Sequence, residues 1–468
     1  MQIYNTLTRK KEELPPPEEQ KQLNMFVCGP TVYDYIHIGN ARTFVFFDVV
    51  AKYLKYRGYD IGYIQNITDI DDKIINRAKQ ENKSWKEISE HYFEEFNKDT
   101  LALGINSPKY IKASNSIEEV KRQVKTLKSK GNVYLIENDG WYFDLKTFPE
   151  YGKLSGRTAE MANDAVSRID ENEKKRNKGD FCVWRLADKL ETGYWDDDEL
   201  GYGRPGWHIE DTAITEKEFG LQYDIHGGGQ DLIFPHHEAE IAQQESASGL
   251  KPFVKYWMHV GFLVNKDEKM SKSAGNFETV NELLKKYSKE TLRFYLLSGY
   301  YRSSLDYNEK LLNQSAAAVQ RISEFKRALE ITDQKGGGNI IKHNNSIVDI
   351  KESERVFFEA LDNDFNSQEA FGYLFSLIRA LNPPLRMGAI SKEYAQPILE
   401  FLNKIGVIFG IISTNQKNIP HNIAKLVIKR GDLRQEEKWE DADKIRAQIE
   451  EMGYKVEDTI YGPLITQR

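Results

Sequence analysis

The chain has 468 residues, with 65 Lys and Arg against 72 Asp and Glu, a formal net charge of −7. At roughly 100–200 residues per domain that length holds two to four domains, and the acidic balance excludes a uniformly basic nucleic-acid binder while permitting a local basic face. Hydrophobic residues at 40% and only two cysteines, Cys28 and Cys182, exclude global disorder, a disulfide framework and a zinc site built on three or four cysteines, and point to a reducing compartment.

Met1–Lys21 is polar and charged, without the apolar stretch of a signal peptide. No run of about 18 apolar residues occurs, so the expectation is a cytoplasmic protein that does not enter the membrane. Leu23–Gly29 reads as a buried strand closed by Gly-Pro. Phe44, Phe47, Ala51 and Leu54 then recur at helical spacing, with Gly58 as the stop. Ile61–Ile67 is a second strand, which makes a βαβ unit and the start of a parallel sheet. The stretch 84–130 is rich in helix formers. From 131 to 205 short aromatic strands alternate with charged turns, the pattern of an insertion. The α/β pattern resumes over 205–264, where Tyr223–Gly229 runs from strand to loop and Pro235 opens a helix reaching Ser248. Long helical patterns follow at 308–333, 352–382 and 394–412. No internal repeat is present.

Two segments carry chemistry. Gly29-Pro-Thr-Val-Tyr-Asp-Tyr-Ile-His37-Ile-Gly39-Asn40 lies between the first strand and the first helix. In an open parallel sheet ligands bind at the carboxyl ends of strands, glycines admit a phosphate to the backbone, and a helix N-terminus favours anions. His37 and Asn40 can donate hydrogen bonds to charge developing on a transferring phosphate. Lys269-Met-Ser-Lys272-Ser-Ala-Gly275-Asn276 is a loop with two lysines and a glycine hinge, able to close on a triphosphate.

The pair resembles the HIGH and KMSKS motifs of class I aminoacyl-tRNA synthetases, with Asn40 in place of the second histidine. Cys28-Gly-Pro-Thr-Val-Tyr, Asn66-Ile-Thr-Asp-Ile-Asp-Asp72, Gly206-Trp-His-Ile-Glu210 and Asp224–Glu240 narrow the resemblance to the cysteinyl family. It runs in order from near residue 20 to the C-terminus. It implies an α/β protein: a class I Rossmann-like parallel-sheet catalytic domain with an insertion, an α-helical bundle and a small C-terminal anticodon-binding domain. The expected boundaries are 1–115 and 206–266 for the two catalytic halves, 116–205 for the insertion, 267–310 for the lysine loop and stem-contact region, 311–412 for the bundle and 413–468 for the last domain.

The resemblance also implies roles. His37, Asn40, Lys269 and Lys272 would be catalytic. Gly29, Thr31, Gly39, Gly229, Asp231 and Lys272 would bind ATP and the adenylate. Cys28, Thr68 and Trp207 would hold L-cysteine. Four residues bind zinc in that family, and three carry over as Cys28, His236 and Glu240. Asp211 stands where the family has a second cysteine. Aspartate is itself a zinc ligand and keeps the site charge, although one thiolate makes a harder, less selective site. Three arrangements stay open: one zinc per chain on Cys28, Asp211, His236 and Glu240; a site without stable metal; or recruitment of Cys182. Mg2+ is expected with ATP, and tRNA(Cys) as the partner of a monomeric enzyme. Aspartates 69, 71 and 72 fit a helix N-terminus and receive no chemistry. Arg430, Arg434 and Lys438 fall at i, i+4 and i+8 on one expected helical strip beside Trp439, a candidate tRNA face. The rival readings are a cysteine ligase acting on an amino sugar and a non-catalytic tRNA- or nucleotide-binding relative.

Overall fold

The computed structural model describes residues 1–20, 22–157, 172–189, 191–265, 268–269, 277–335, 348–412, 420–459 and 462–467. It divides into two compact units. The first comprises Met1–Lys286, Gly299–Asn308 and Asp362–Phe365. The second comprises Tyr287–Ser298, Glu309–Leu361 and Asn366–Arg468.

The first unit opens with the hairpin β1 (Gln2–Asn5) and β2 (Lys10–Glu13). It continues as β3 (Leu23–Val27), α1 (Ile38–Tyr56), β4 (Ile61–Ile67), α2 (Asp72–Glu81), α3 (Trp85–Ala102), β5 (Lys109–Lys112) and α4 (Ile117–Ser129). The antiparallel sheet β6 (Val133–Ile136), β7 (Gly140–Phe143), β8 (Phe181–Leu186) and β9 (Gly203–Pro205) comes next. Then follow α5 (Ile209–Phe219), β10 (Tyr223–Gly229), α6 (Glu238–Ser248), β11 (Val254–Val260), β12 (Leu263–Asn265), β13 (Glu268–Lys269) and α7 (Val280–Lys286).

Five strands form one parallel sheet in the order β11-β10-β3-β4-β5. β3 is central, with Val27 opposite Gly227 on one side and Gln65 on the other. β3 leads through α1 to β4, whereas its other neighbour β10 arrives from far along the chain. The strand order therefore switches at β3 and β10, which leaves a crevice at their carboxyl ends. Both faces of such a sheet are covered, so its strands read as nearly continuous apolar runs.

One feature adds to the expectation and one differs from it. The apolar stripe Phe44, Phe47, Ala51 and Leu54 is buried as expected, but Val45, Phe46, Val50 and Tyr53 on the other side of α1 are buried too. Phe46 stacks on Tyr301, with centroids 4.3 Å apart, so α1 is enclosed rather than amphipathic. The helix-rich stretch 84–130 is interrupted by β5, which pairs Ile67 with Lys112 at the sheet edge. A long-range ladder overrides local propensity there.

The second unit begins with α8 (Lys289–Leu297), and β14 (Leu305–Asp306) returns to the first. α9 (Glu309–Lys335), α10 (Ile350–Asp362), α11 (Ser367–Arg386) and α12 (Lys392–Phe409) are its long helices. The single pattern expected over 352–382 is two helices. Asp364 and Phe365 between them have φ of 67° and 51°, and the Asp364 carboxylate accepts from the Tyr4 amide, the Tyr301 hydroxyl and the Arg302 guanidinium. A small closing element contains α13 (His421–Gln435), α14 (Trp439–Glu451) and the hairpin β15 (Tyr454–Thr459) and β16 (Gly462–Gln467), around Ile423, Val427, Ile449 and Val456.

Gly29, just after β3, packs tightly against Asn66 near the end of β4. Its amide donates to Asn66 Oδ1 at 2.5 Å, and a Cβ there would lie 1.7 Å from the Asn66 carbonyl oxygen. Gly29→Ala is expected to lower stability by about 3 kcal/mol, the upper end of overpacking costs. Urea unfolding checks this; an unchanged midpoint would contradict the packing described.

Candidate active site

A cavity of about 700 Å3 opens at the carboxyl ends of the parallel strands. Cys28 and Gly29 after β3, Thr68 after β4, Gly229 at the end of β10 and Gly261 after β11 all line it. Thr31, His37, Gly39, Asn40, Trp207 and Asp231 are in its wall as well. The structure thus gathers around one space the candidates that the chain scatters over some two hundred residues.

His37 caps α1, and its Nδ1 accepts from the Asn40 amide at 3.3 Å. The neutral ring then carries its proton on Nε2, a donor. The described segment that follows the lysine loop is tied to this one by backbone. The Ile38 amide donates to the Glu278 carbonyl at 3.0 Å and the Val280 amide to that of Ile36 at 3.1 Å. The Phe277 ring lies 5.9 Å from His37. On the loop's other flank Lys269 ends β13 opposite Val264. Lys272 lies outside the described residues. Arg42, which sequence reasoning missed, is buried in α1 and donates at 2.7 Å to the carbonyls of Gly261, Phe262 and Ser303. Five donors in a rigid fork suit this stapling of turns.

Cys28, Asp211 and His236 line the cavity and converge with the fully buried Glu240, with one ligating atom of each of the four inside a 4.8 Å span. His236 Nε2 is 3.0 Å from Asp211 Oδ2 and 3.1 Å from Glu240 Oε1, and one N–H cannot serve both. Asp211 Oδ1 and both Glu240 oxygens are buried without a hydrogen-bond donor. Orphaned buried carboxylate oxygens are costly, and a cation among them removes the cost. One thiolate, two carboxylates and one imidazole are a donor set that zinc accepts. The residues present fit the metal.

Histidines hold these donors in place. His236 Nδ1 meets His208 Nδ1 at 2.8 Å, which leaves Nε2 for the cluster. His237 Nε2 is 3.2 Å from Cys28 Sγ, its Nδ1 is 2.8 Å from His259 Nε2, and His259 Nδ1 is 2.8 Å from Thr6 Oγ1. His226 Nε2 lies 3.4 Å from Cys28 Sγ and 3.3 Å from Glu240, with Tyr223 OH at 2.6 Å from its other nitrogen. Burial holds His208, His226 and His237 well below the usual imidazole range and His259 at about 3. His236 goes the other way. Burial pulls it down, but Glu240 and Asp211 outweigh that and lift it to about 10. Burial raises Glu240 to about 8 and pushes the Cys28 thiol up. The histidine density between 208 and 259 was the available sequence signal; its wiring was not.

Trp207 is 36% exposed, and its indole stacks on His236 with centroids 4.6 Å apart. The Thr68 hydroxyl donates to Glu210 Oε2 at 3.0 Å. Burial, with Asp211 and Asp71 adding, keeps the Glu210 carboxyl well above its usual range. Cys182 packs with Tyr134, Ile136 and Tyr142 and belongs to none of the metal-competent groups among the described residues. The aspartates do structural work. Asp71 caps α2, Asp72 pairs with Arg204 at 2.5 Å, and Asp69 accepts from Ser114.

The expected basic strip near the C-terminus is corrected in two places. α13 ends at Gln435 and Glu437 has φ of 60°, so Lys438 is off that helix and pairs with Glu436. Arg430 is buried, with both terminal nitrogens on Asp458 at 2.7 Å. Arg434 and Trp439 do come together, the guanidinium 5.2 Å from the ring centroid. They border a hollow of about 310 Å3.

The metal-free cluster binds protons that an unfolded chain releases. His236 titrates at about 10 instead of 6.5 and Glu240 at about 8 instead of 4.5. The folded state therefore holds more protons than the unfolded state between these limits, and its stability declines as pH rises from about 4.5 to about 10, most steeply between 6.5 and 8 where both groups contribute. Zinc displaces the same protons. The melting-temperature gap between zinc-loaded and stripped protein should widen from pH 6.5 to 9. A constant gap in thermal melts would contradict the cluster's electrostatics.

Residues 15–317 match the family of tRNA synthetases class I (C) catalytic domain, and residues 356–413 match the DALR domain. The chain is 41% identical to the cysteine–tRNA ligase of Clostridioides difficile over 470 aligned residues, 99% of each chain. It is 42% identical to that of Carboxydothermus hydrogenoformans, again over 99% of each. Among solved structures it resembles Mycobacterium tuberculosis methionyl-tRNA synthetase in complex with methionyl-adenylate. The TM-score is 0.62 at 15% identity, covering 83% of this chain and 89% of that one, a likeness of fold. No helix among the described residues is long and apolar enough to cross a membrane. The chain belongs to the cysteine–tRNA ligase family of class I aminoacyl-tRNA synthetases.

Proposed function

We propose that this chain activates L-cysteine with ATP to cysteinyl-adenylate and pyrophosphate, then transfers cysteine to the 3′ end of tRNA(Cys). The observation that carries this reading is the buried set Cys28, Asp211, His236 and Glu240, the first three of which line the cavity that His37 and Asn40 border. A zinc ion held by those four residues supplies a soft partner for a thiolate, which serine's hydroxyl does not match. A site built on one polar contact can reject an analogue lacking it by ~10⁴ without editing.

Adenylation needs no side-chain nucleophile. The substrate carboxylate attacks the α-phosphorus and pyrophosphate leaves, so catalysis is positioning plus electrostatics. His37 Nε2–H and Asn40, at the N-terminal end of α1, stabilise the negative charge on the α-phosphate. Gly29, Thr31, Gly39 and Gly229 admit the nucleotide to the backbone, and Asp231 takes a ribose hydroxyl. Lys269 and Lys272 bring ammonium groups to the phosphates, with Mg2+ accompanying ATP. Trp207 and Thr68 wall the amino-acid end. The terminal ribose hydroxyl of the tRNA then attacks the adenylate carbonyl and AMP leaves. Residues 413–468 take the anticodon, with Arg434 and Trp439 as a stacking surface and Arg430 as its support.

Cysteine-dependent ATP–pyrophosphate exchange tests the reading. His37→Ala should lower kcat by about 10²–10³ with zinc content unchanged. Asp211→Ala should lower zinc content and cysteine affinity together. Exchange that ignores cysteine, or that proceeds fully in the zinc-free Asp211→Ala protein, would overturn it. Trp439→Ala should weaken tRNA binding by about 1–3 kcal/mol and leave exchange intact. Arg430→Met should instead lower the melting temperature, by about 1–2 kcal/mol of stability. Equal tRNA and stability losses from both variants would contradict that division of labour.

A further inference from the structure

Glu210 is buried beside the cavity, yet no Lys, Arg or His among the described residues pairs with it. Its hydrogen-bond partner is the hydroxyl of Thr68, 3.0 Å from Oε2, and Thr68 lines the cavity. The direction of that bond is set from behind. The Gly29 amide donates to Asn66 Oδ1 at 2.5 Å, which fixes the Asn66 side chain with its NH2 toward Thr68. Asn66 Nδ2 donates to Thr68 Oγ1 at 3.3 Å and occupies one of the two lone pairs of the hydroxyl. The hydroxyl proton goes to Glu210 Oε2. The geometry gives Oε2 as the acceptor of that proton, the role it has in an ionised carboxylate and in a carboxyl group that carries its own proton on Oε1.

Thr68 therefore faces the cavity with its remaining lone pair and no proton to give. A hydroxyl in that state accepts from a cation and repels a carboxylate. We infer that Glu210 is a positioning residue that makes the Thr68 hydroxyl an acceptor for the α-ammonium group of the amino-acid substrate. The chain Gly29, Asn66, Thr68, Glu210 joins β3, β4 and α5, so the orientation is built into the backbone and is set before substrate arrives. Pre-orientation removes the cost of fixing a free rotor on binding. The same arrangement disfavours an amino acid entering with carboxylate and ammonium exchanged.

The inference rests on the function proposed above, and its test separates the two. In ATP–pyrophosphate exchange, Glu210→Met removes the acceptor while keeping the volume. It should raise the KM for L-cysteine at least tenfold and leave the KM for ATP unchanged. Glu210→Gln, whose amide oxygen can still take the proton of Thr68, should stay within about threefold of the parent, as expected for a neutral hydrogen bond kept in place. The inhibition constant of 3-mercaptopropionate, which has the thiol and carboxylate but no ammonium, should not move in either variant. Thr68→Val reaches the same hydroxyl from the other side. It should reproduce the Glu210→Met pattern, and it carries the test if Glu210→Met does not fold. Unchanged cysteine KM, equal weakening of 3-mercaptopropionate, or a Gln variant as impaired as Met would overturn the inference alone. Absence of cysteine-dependent exchange in the unsubstituted protein would overturn the functional reading and this inference with it.

Discussion

Three acidic side chains held out of water within a few ångströms of one another are the constraint around which this fold is arranged. Cys28, Asp211 and Glu240 repel one another as anions, and burial penalises each separately. Without a cation Cys28 and Glu240 keep their protons, as their upward shifts record. With one, they become ligands. The histidines behind them have no such freedom. Burial keeps His208, His226, His237 and His259 neutral, so they orient the donors without adding charge.

The sheet explains why the cluster sits where it does. β3 lies between β4 and β10, so Cys28 emerges at the switch in strand order. α5 contributes Asp211, the turn entering α6 contributes His236, and α6 itself contributes Glu240. The same crevice receives the start of α1 with His37 and Asn40, and Arg42 one turn further on clamps the segment after β11. The connection from β3 into α1 thus carries both Cys28 and the His37–Asn40 segment. A displacement of β3 would disturb both together.

Much of this was legible in the sequence, and the reason differs by element. β3, α1 and β4 announce themselves because a buried parallel strand is a short apolar run and a helix repeats at 3.6 residues. The motif residues were legible through their resemblance to a known family. β5 was not, because its pairing partner lies far from the helix formers that flank it. The contacts of Cys28 with His237, 209 positions away, and of Thr68 with Glu210, 142 away, exist only once the sheet has formed. Arg430 misled for a different reason: helical spacing places residues on a strip but does not say that Asp458 will cover one of them. Lys438 misled because the helix stops three residues before it.

The most direct test of the account is the zinc K-edge X-ray absorption spectrum of the purified protein before and after addition of L-cysteine. The account predicts one sulfur scatterer at about 2.3 Å beside nitrogen and oxygen neighbours. A second sulfur should join when cysteine is added, and serine should leave the spectrum unchanged. A zinc shell with no sulfur, or one that does not change with cysteine, would contradict the central claim that Cys28, Asp211, His236 and Glu240 hold the metal that receives the substrate thiol.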